Sequence, residues 1–173
     1  MCLVAHIDTV RSDDTKPELI VNQGVLFNSK GILGADDRAG VHALMEIAKL
    51  LDINGEQLPS LLFTNHEEGN WLGVRRFIES GCLNTKGLRL FVAFDHCGRD
   101  EYVFYWRSLP QEVRIYLESF GYREEWGTVT DVAELMDATD GIPAVNLSVG
   151  YYDEHTPLER LIIEDMTRIF VEG

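Results

Sequence analysis

Short apolar segments alternate with amphipathic segments along most of this chain, and this alternation constrains the fold more than any other feature. The segment CLVAHID (2–8) is almost continuously apolar, as expected of a strand that is covered on both faces. Similar segments follow as LPSLLFTN (58–65), LRLFVAFD (88–95) and IPAVNLSVG (142–150). Strands interleaved with helices predict an α/β fold, in which helices cover both faces of a mostly parallel central sheet.

A hairpin, one more strand and several helices complete this pattern. In ELIVNQGVLFN (18–28), apolar residues alternate around Asn22-Gln23-Gly24, which predicts a β-hairpin with its turn there. EYVFYWR (101–107) is typical of a strand, joined to the one before it by the short turn HCGRD. In TDVAELMD (130–137), Asp131 and Glu134 have the spacing of a capping box. Periodicity and terminal residues predict helices over 40–51, 71–80, 110–121 and 130–137, and a terminal amphipathic helix over 158–170.

The acidic composition excludes some partners. The chain has 173 residues, which suits one domain, and a net charge of −14. Nucleic-acid binding depends on Lys and Arg at phosphates, so we expect no nucleic-acid partner. No apolar run approaches the roughly 20 residues that span a bilayer, and we expect no membrane partner. The start MCLVAHIDTV lacks the basic region of a signal peptide, and three cysteines without metal-finger spacing indicate a reducing compartment, so we expect a cytoplasmic protein.

Side chains that bind metals occur where the predicted strands end. Because the carboxyl ends of parallel strands meet at one edge of a sheet, these side chains are expected to lie close together. Imidazole and carboxylate groups without thiolate suit zinc, manganese or cobalt better than a structural cysteine site. The segments are AHIDTV (His6, Asp8), GADDRAG (Asp36, Asp37), NHEEG (Glu67, Glu68), AFDHCG (Asp95, His96) and YYDEHTP (His155).

Two local spacings add detail to this site. Residues two apart on a strand face the same way, so Asp8 can hydrogen-bond the ring of His6, as carboxylates do behind metal-bound histidines. Glu67 and Glu68 place like charges in contact, which costs free energy unless a cation or a proton neutralises them. A bound cation is therefore expected beside this pair.

The order of the segments, H-x-D, G-A-D-D, E-E, D and H, resembles that of the co-catalytic two-zinc exopeptidases. This clan includes leucyl aminopeptidases, peptidase T and glutamate carboxypeptidases. The likeness extends from His6 to about Glu159, and GIPAVNLSVGYYDEHTPLE (141–159) is especially similar to the last ligand segment of peptidase T-like members. The resemblance implies a three-layer αβα sandwich of the phosphorylase/hydrolase-like type, with a mixed, mostly parallel sheet. It also implies two divalent metal ions, zinc first, with cobalt or manganese as alternatives.

The resemblance assigns a metal-binding role to five of these residues. His6 and Asp95 would hold one metal ion, and Glu68 and His155 would hold the other. Asp36 would bridge the two.

The same resemblance assigns roles next to the metals. Glu67 takes the place of the general base, which accepts a proton from a metal-activated water and passes it to the leaving amine. Asp8 takes the place of the carboxylate behind His6. The peptide bond between Asp36 and Asp37 is expected to be cis, as it is in the family.

Each residue also has a plainly structural explanation when it is taken alone. His6 fits a hydrogen-bonded core histidine, and His155 fits a surface loop. Asp37 is the better candidate of its pair to cap the helix that follows, and Asp95 fits the end of a strand. Glu67 and Glu68 are also explained as the start of a helix, but the joint occurrence of the segments in family order favours the metal site.

Other polar residues are left out of the predicted site. His42, His66, His96 and Cys97 match no ligand position of the family. Thr130 and Asp131 fall where relatives line the substrate pocket, but helix capping explains them equally well.

Two features of the family are missing from this sequence. Relatives have a helix and strands ahead of the H-x-D strand, and larger members insert a lid or dimerisation domain between the fourth and fifth ligands. The interval from Asp95 to His155 is too short for such an insertion. We therefore expect residues 1–173 to form a single catalytic domain without a lid. An uncovered sheet edge or apolar face is expected to make it a homo-oligomer.

The leading functional hypothesis is a metal-dependent hydrolase that cleaves amide bonds in small peptides or N-acyl amino acids. Aminopeptidase ranks first, because the acidic composition favours recognition of a substrate α-amine. Dipeptidase, carboxypeptidase and N-acyl amino acid deacylase stay open, since no residue separates them. A non-catalytic binding or assembly protein on a peptidase scaffold is the alternative of another class. The complete set of ligands and base argues against it.

Overall fold

The structure, a computed structural model, describes residues 1–10, 16–105 and 109–171. Its strands are β1 (Cys2–His6), β2 (Leu19–Asn22), β3 (Val25–Asn28), β4 (Ser60–Thr64), β5 (Phe91–His96), β6 (Glu101–Phe104), β7 (Arg123–Glu124), β8 (Ala144–Ser148), β9 (Tyr151–Tyr152) and β10 (Arg160–Ile162). Its helices are α1 (Ala35–Ile53), α2 (Glu67–Asn70), α3 (Leu72–Glu79), α4 (Gln111–Ser119), α5 (Asp131–Ala138) and α6 (Ile163–Val171). Within these residues, no helix has the length and apolar character that crossing a membrane requires. Residues 106 and 107 of the predicted strand 101–107 lie outside the described part.

A six-stranded sheet in the order β4-β1-β5-β8-β6-β7 forms the centre of the fold. Strands β4, β1, β5 and β8 are parallel, whereas β6 runs antiparallel to β8 and pairs in parallel with β7. The predicted mixed, mostly parallel sheet is therefore confirmed. His6 and Thr64 stand opposite each other at the carboxyl ends of β1 and β4, so the residues that follow both strands reach the same edge.

Alternate residues of the central strands face two hydrophobic cores, one on each side of the sheet. Leu3 and Ala5 of β1 face the core that contains residues of α1 and α6. Cys2 and Val4 face the opposite core, which contains residues of α3 and α5. Burial on both faces is the physical reason for the continuous apolar character of this strand, and it gives the predicted αβα layering.

A second, antiparallel sheet has the order β2-β3-β10-β9. Its β2 and β3 form the predicted hairpin, with Asn22 paired to Val25 and positive φ angles of 49° and 80° at Gln23 and Gly24. The predicted terminal helix is wrong for its first part, because residues 160–162 form β10 and α6 begins only at Ile163. A short apolar run is compatible with a helix or with a strand. Residues 160–162 form a strand because they pair with β3 and β9.

Strand β4 is an edge strand of the central sheet, not the buried strand that its sequence predicts. Its described partner is β1, and the side chains of Leu61 and Phe63 are 37% and 40% exposed. An apolar run has the same sequence pattern whether or not other elements cover the strand, so the exposure of β4 could not be predicted from its sequence. Strands β5 and β6 follow each other across the predicted short turn, but β8 lies between them in the sheet.

Helix α1 approaches the sheet closely at Gly40. A Cβ atom at this position would overlap the carbonyl oxygen of Phe94 in β5 and the carboxylate of Asp37. Only glycine permits this approach. It brings Asp36 and Asp37, at the start of α1, against the carboxyl ends of β1 and β5.

Candidate metal centre

The polar segments predicted from sequence converge at the carboxyl edge of the central sheet. His6 is the last residue of β1, and Asp95 is the second-last residue of β5. Asp36 reaches this edge from the start of α1, Glu68 from the start of α2, and His155 from the loop after β9. The parallel direction of the strands thus brings together residues that are far apart in the chain.

One cluster of possible metal ligands forms around the buried ring of His6. Its Nε2 atom lies 3.0 Å from Oδ1 of Asp36 and 3.4 Å from Oδ1 of Asp95. The potential ligand atoms of the three residues all lie within 4.8 Å of one another. Imidazole with two carboxylates is a donor set suited to zinc or a similar divalent ion.

A second cluster forms around His155 and shares Asp36 with the first. The Nε2 atom of His155 lies 3.1 Å from Oδ2 of Asp36 and 2.8 Å from Oε2 of Glu68. These three residues also have ligand atoms within 4.8 Å of one another. The two oxygens of Asp36 therefore point to different clusters, which is the arrangement that a carboxylate bridging two ions needs.

Asp8 lies behind both His6 and the glutamate pair. The Nδ1 atom of His6 lies 3.0 Å from the Asp8 backbone carbonyl oxygen and 3.5 Å from the Asp8 carboxylate. The backbone N–H groups of Glu67 and Glu68 each donate to this carboxylate at 3.2 Å. The expected contact with the His6 ring is thus made chiefly by the backbone, while the side chain holds the start of α2.

The carboxylate of Glu67 lies beside the two clusters and belongs to neither. Its Oε1 accepts a hydrogen bond from the indole N–H of Trp71 at 3.1 Å. Its Oε2 lies 4.0 Å from Nε2 of His6. Adjacent glutamates thus face different partners, since Glu68 turns to His155.

Burial and mutual charge shift the pKa values of the centre. Burial, reinforced by Asp36, raises the pKa of Asp95 well above its ordinary value. Burial also raises the pKa of Glu67 to about 7. Although burial opposes it, hydrogen bonds from His155 and His6 lower the pKa of Asp36 to about 2. The hydrogen bond to Asp36 raises the pKa of His155 to about 9. A bound cation would favour the ionised form of the crowded carboxylates whose pKa values are raised, so the residues fit a pair of divalent ions.

Asp37 has the structural role expected of it. Its Oδ1 accepts a hydrogen bond from the backbone N–H of Gly40 at 2.9 Å, which caps the first turn of α1. Its Oδ2 accepts one from the backbone N–H of His6 at 3.0 Å. The peptide bond between Asp36 and Asp37 is cis, as predicted.

Glu159 is a residue of this region that sequence reasoning missed. Its carboxylate is buried and accepts hydrogen bonds from the backbone N–H groups of Gly34, Ala35 and Asp36 at 2.7, 2.7 and 3.1 Å. It therefore fixes the segment that carries Asp36. The available sequence signal was an acidic residue close to the segment that contains His155. It was overlooked because Glu159 was assigned to the predicted helix over 158–170.

The predicted capping box at the start of α5 is wrong. Thr130 occupies the N-cap without a side-chain cap, and Asp131 is buried in the first turn. Oδ2 of Asp131 accepts a hydrogen bond from the hydroxyl of Thr64, and Glu134 pairs with Arg75. Burial raises the pKa of Asp131 to about 6.

A cavity of about 480 Å³ opens over the two clusters. His96 and Cys97, which match no ligand position of the family, line it together with Thr130. Trp71 and Glu154 also line it.

An α/β sheet with imidazole and carboxylate groups gathered at its carboxyl edge is the arrangement of a metallohydrolase. The sequence profile of Peptidase family M28 matches residues 1–154, and the chain belongs to this family. The comparison with curated protein sequences gave no match.

Solved peptidase structures have the same fold. Aminopeptidase PepT from Bacillus cereus gives a TM-score of 0.71 at 15% identity, over 99% of this chain and 79% of that one. A tripeptidase from Staphylococcus aureus gives a TM-score of 0.71 at 16% identity, over 99% of this chain and 78% of that one. The TET1 peptidase of Pyrococcus horikoshii gives a TM-score of 0.60 at 22% identity, over 89% of this chain and 50% of that one. At these identities the likeness establishes the fold, and the chain spans half the length of TET1.

Proposed function

We propose that this chain is a metal-dependent exopeptidase, with aminopeptidase as the first specificity to test, and that residues 1–173 act as one catalytic domain. The single observation that carries this is the pair of histidine–carboxylate clusters joined by Asp36, with the free carboxylate of Glu67 beside them. Membership of a peptidase family supports the reaction class. The odd number of cysteines supports the cytoplasm as its compartment.

Five side chains would hold two divalent ions, zinc being the first choice. In this proposal His6 and Asp95 hold one ion, Glu68 and His155 hold the other, and Asp36 joins both. When bound, such a pair of ions supplies Lewis-acid activation of a water and of the scissile carbonyl group.

Glu67 is proposed as the general base. Its Oε2 faces the cluster around His6, so it can accept a proton from an attacking water and hand it to the leaving amine. Burial raises its pKa to about 7, which suits a group that must both accept and donate a proton. Asp8 supports this position by holding the backbone of both glutamates.

The charge of the cavity favours a substrate with a free α-amine. Apart from the proposed metal ligands, its described lining contains the carboxylates of Glu67 and Glu154, and neither Lys nor Arg occurs among these described residues. A cationic amine is attracted to these carboxylates, whereas a peptide carboxylate finds neither Lys nor Arg among the described lining residues. Dipeptidase, carboxypeptidase and N-acyl amino acid deacylase are the alternative specificities for amide hydrolysis at the same site.

The test combines metal content with a substrate panel. We expect protein purified without chelator to carry up to two zinc ions per chain and to hydrolyse aminoacyl p-nitroanilides or small peptides with a free N-terminus. N-acetylated forms of the same substrates are the matched controls and should not be cleaved. Metal binding without turnover of any panel member would leave the non-catalytic binding protein as the better explanation.

We also propose that the chain self-associates. Support comes from β4, an edge strand with the exposed side chains of Leu61 and Phe63. Size-exclusion chromatography with light scattering at micromolar concentration should give a mass above one chain, and a clean monomer would contradict this.

A further inference from the structure

Trp71 connects the proposed base to the body of the protein. It lies between α2 and α3, and its indole N–H donates a hydrogen bond to Oε1 of Glu67 at 3.1 Å. The other oxygen, Oε2, is the one that lies 4.0 Å from Nε2 of His6. One oxygen of the carboxylate is therefore held, and the other faces the cluster where the reaction is proposed to occur.

Further contacts fix the ring of Trp71 itself. The guanidinium of Arg75 lies over the indole, 5.4 Å from its centroid, at a distance typical of cation–π contacts. Arg75 is held in turn by two hydrogen bonds of 2.9 Å to the carboxylate of Glu134 in α5. The ring also packs against the core between the sheet and α3 and α5.

The backbone conformation of Trp71 is unusual. Its φ and ψ angles are 55° and 28°, in the left-handed region that few residues other than glycine adopt. This conformation ends α2 and begins α3 in a new direction. The indole four residues after Glu67 thereby reaches back to that carboxylate.

We propose that Trp71 is a positioning residue, which orients the carboxylate of Glu67 through the indole N–H so that Oε2 faces the reacting water. This role rests on the proposed function of Glu67. The hydrogen bond disfavours side-chain conformations of Glu67 that would break it. Arg75, which is held by Glu134, keeps the indole in place through its contact with the ring.

A competing explanation is that Trp71 only packs or only contacts substrate, since it lines the cavity. Lost substrate contact raises KM and leaves kcat largely unchanged, whereas a misplaced base lowers kcat. Loss of ring packing lowers stability, and this effect does not depend on the indole N–H group.

The first experiment measures the contact in metal-free protein, independently of activity. In a ¹⁵N spectrum of the three tryptophan indoles, the signal of Trp71 is the one missing from Trp71→Phe. We expect Glu67→Ala to shift this indole N–H upfield and to speed its exchange with solvent, while the Trp126 signal stays in place. An indole signal that is unchanged by Glu67→Ala would overturn the positioning role.

The second experiment separates the N–H from the ring. Trp71→Phe keeps an aromatic face for Arg75, and 3-benzothienylalanine at position 71 keeps the bicyclic shape but replaces N–H by sulfur. We expect both to lower kcat about 10- to 100-fold, the range that losing a hydrogen bond to a charged group implies, with KM and metal content unchanged. Full activity with the benzothienyl side chain would overturn the role of the N–H and leave ring packing.

The two experiments distinguish failure of this role from failure of the proposed function. If the wild-type protein cleaves no substrate, the assignment of Glu67 as base fails, and the role of Trp71 fails with it even if the indole contact is seen. If the wild-type protein is active and both replacements keep kcat, only the role of Trp71 fails.

Discussion

Glu67 and Glu68 adjoin in the chain but face different neighbours. Glu68 lies 2.8 Å from the ring of His155, whereas Glu67 is held by Trp71 and lies 4.0 Å from His6. Both backbone N–H groups donate to Asp8, which sets the start of α2. In the proposed function, this divergence would let Glu68 bind a cation while Glu67 stays free to exchange a proton.

At the residue scale, we predict that Glu67→Gln removes activity without removing metal. The amide keeps the shape of the side chain but cannot accept the proton, so kcat should fall about 10²- to 10⁴-fold. Steady-state kinetics and elemental analysis of the same preparation measure both quantities.

Glu68→Ala is the matched variant for this prediction. It removes a proposed ligand in place of the base, so the metal content should fall by one ion per chain. If Glu67→Gln stays fully active, or loses as much metal as Glu68→Ala, the separate roles of the two glutamates are wrong.

Asp131 gives a prediction about pH. Oδ1 of Asp131 is the buried side-chain atom without a hydrogen-bond partner in the part of the chain that the structure describes. Burial raises the pKa of this carboxyl from 3.8 to about 6 in the folded state. The folded state therefore binds the proton more tightly, and the stability that this contributes is present below about pH 4 and is lost as the pH rises through 6.

We expect Asp131→Asn to remove this pH-dependent loss. At pH 8 the variant should be more stable than the wild type by up to about 3 kcal/mol, and the difference should shrink towards pH 5. Urea denaturation at both pH values measures the free energy of unfolding. A difference between the two proteins that is the same at pH 5 and pH 8 would contradict the raised pKa.

At the scale of elements, the start of α1 depends on a residue from the other end of the chain. Glu159 precedes β10 and accepts three hydrogen bonds from the backbone of residues 34–36. The N–H groups at a helix start have no partners within the helix, and a buried carboxylate satisfies them. In this way β10 and α1 together fix the backbone position of Asp36.

We predict that Glu159→Gln weakens both stability and metal binding. The amide keeps one acceptor oxygen but turns an NH₂ group towards backbone donors, so the free energy of unfolding should fall by about 2 to 4 kcal/mol. Metal affinity, measured by competition with a chelating dye, should fall as well, because Asp36 loses its support.

The exposed Glu164 in the first turn of α6 provides the control. Glu164→Gln removes the same charge in the same part of the chain, and we expect its stability to stay within about 0.5 kcal/mol of the wild type. Equal effects of the two substitutions would show that net charge, and not the cap, is responsible.

At the scale of the whole molecule, acidic groups are concentrated where metal binding is proposed. The net charge is −14, and Asp8, Asp36, Asp37, Glu67, Glu68 and Asp95 lie together at one edge of the sheet. Folding without cations brings these like charges close to each other. Bound divalent ions should therefore stabilise the folded state in addition to enabling catalysis.

We predict that zinc raises the melting temperature of chelator-treated protein. At free metal about 100-fold above Kd, binding adds about 2.7 kcal/mol, which corresponds to roughly 5 to 10 °C for a protein of this size. Magnesium is the comparison ion, since it prefers all-oxygen sites and should have less effect. Melting curves that zinc and magnesium shift equally, or not at all, would argue against the two histidine–carboxylate clusters as zinc sites.

The sequence by itself determined the features that depend on neighbours in the chain. The continuous apolar character of β1, the turn at Gln23-Gly24 and the polar residues at strand ends are local patterns, and they predicted the sheet class and the edge where the metal site is proposed. The family order of the segments then selected seven proposed site residues, which the structure brings together at that edge.

Only the tertiary structure decided the features that depend on distant partners. Glu159 and the backbone of Asp36 are 123 residues apart, so no local pattern links them. The exposure of β4, the strand β10 and the place of Asp131 depend likewise on which elements pack against each other. Hydrogen bonding and burial across the fold select among structures that the local sequence leaves equally favourable, and this is why the fold class was predictable while these contacts were not.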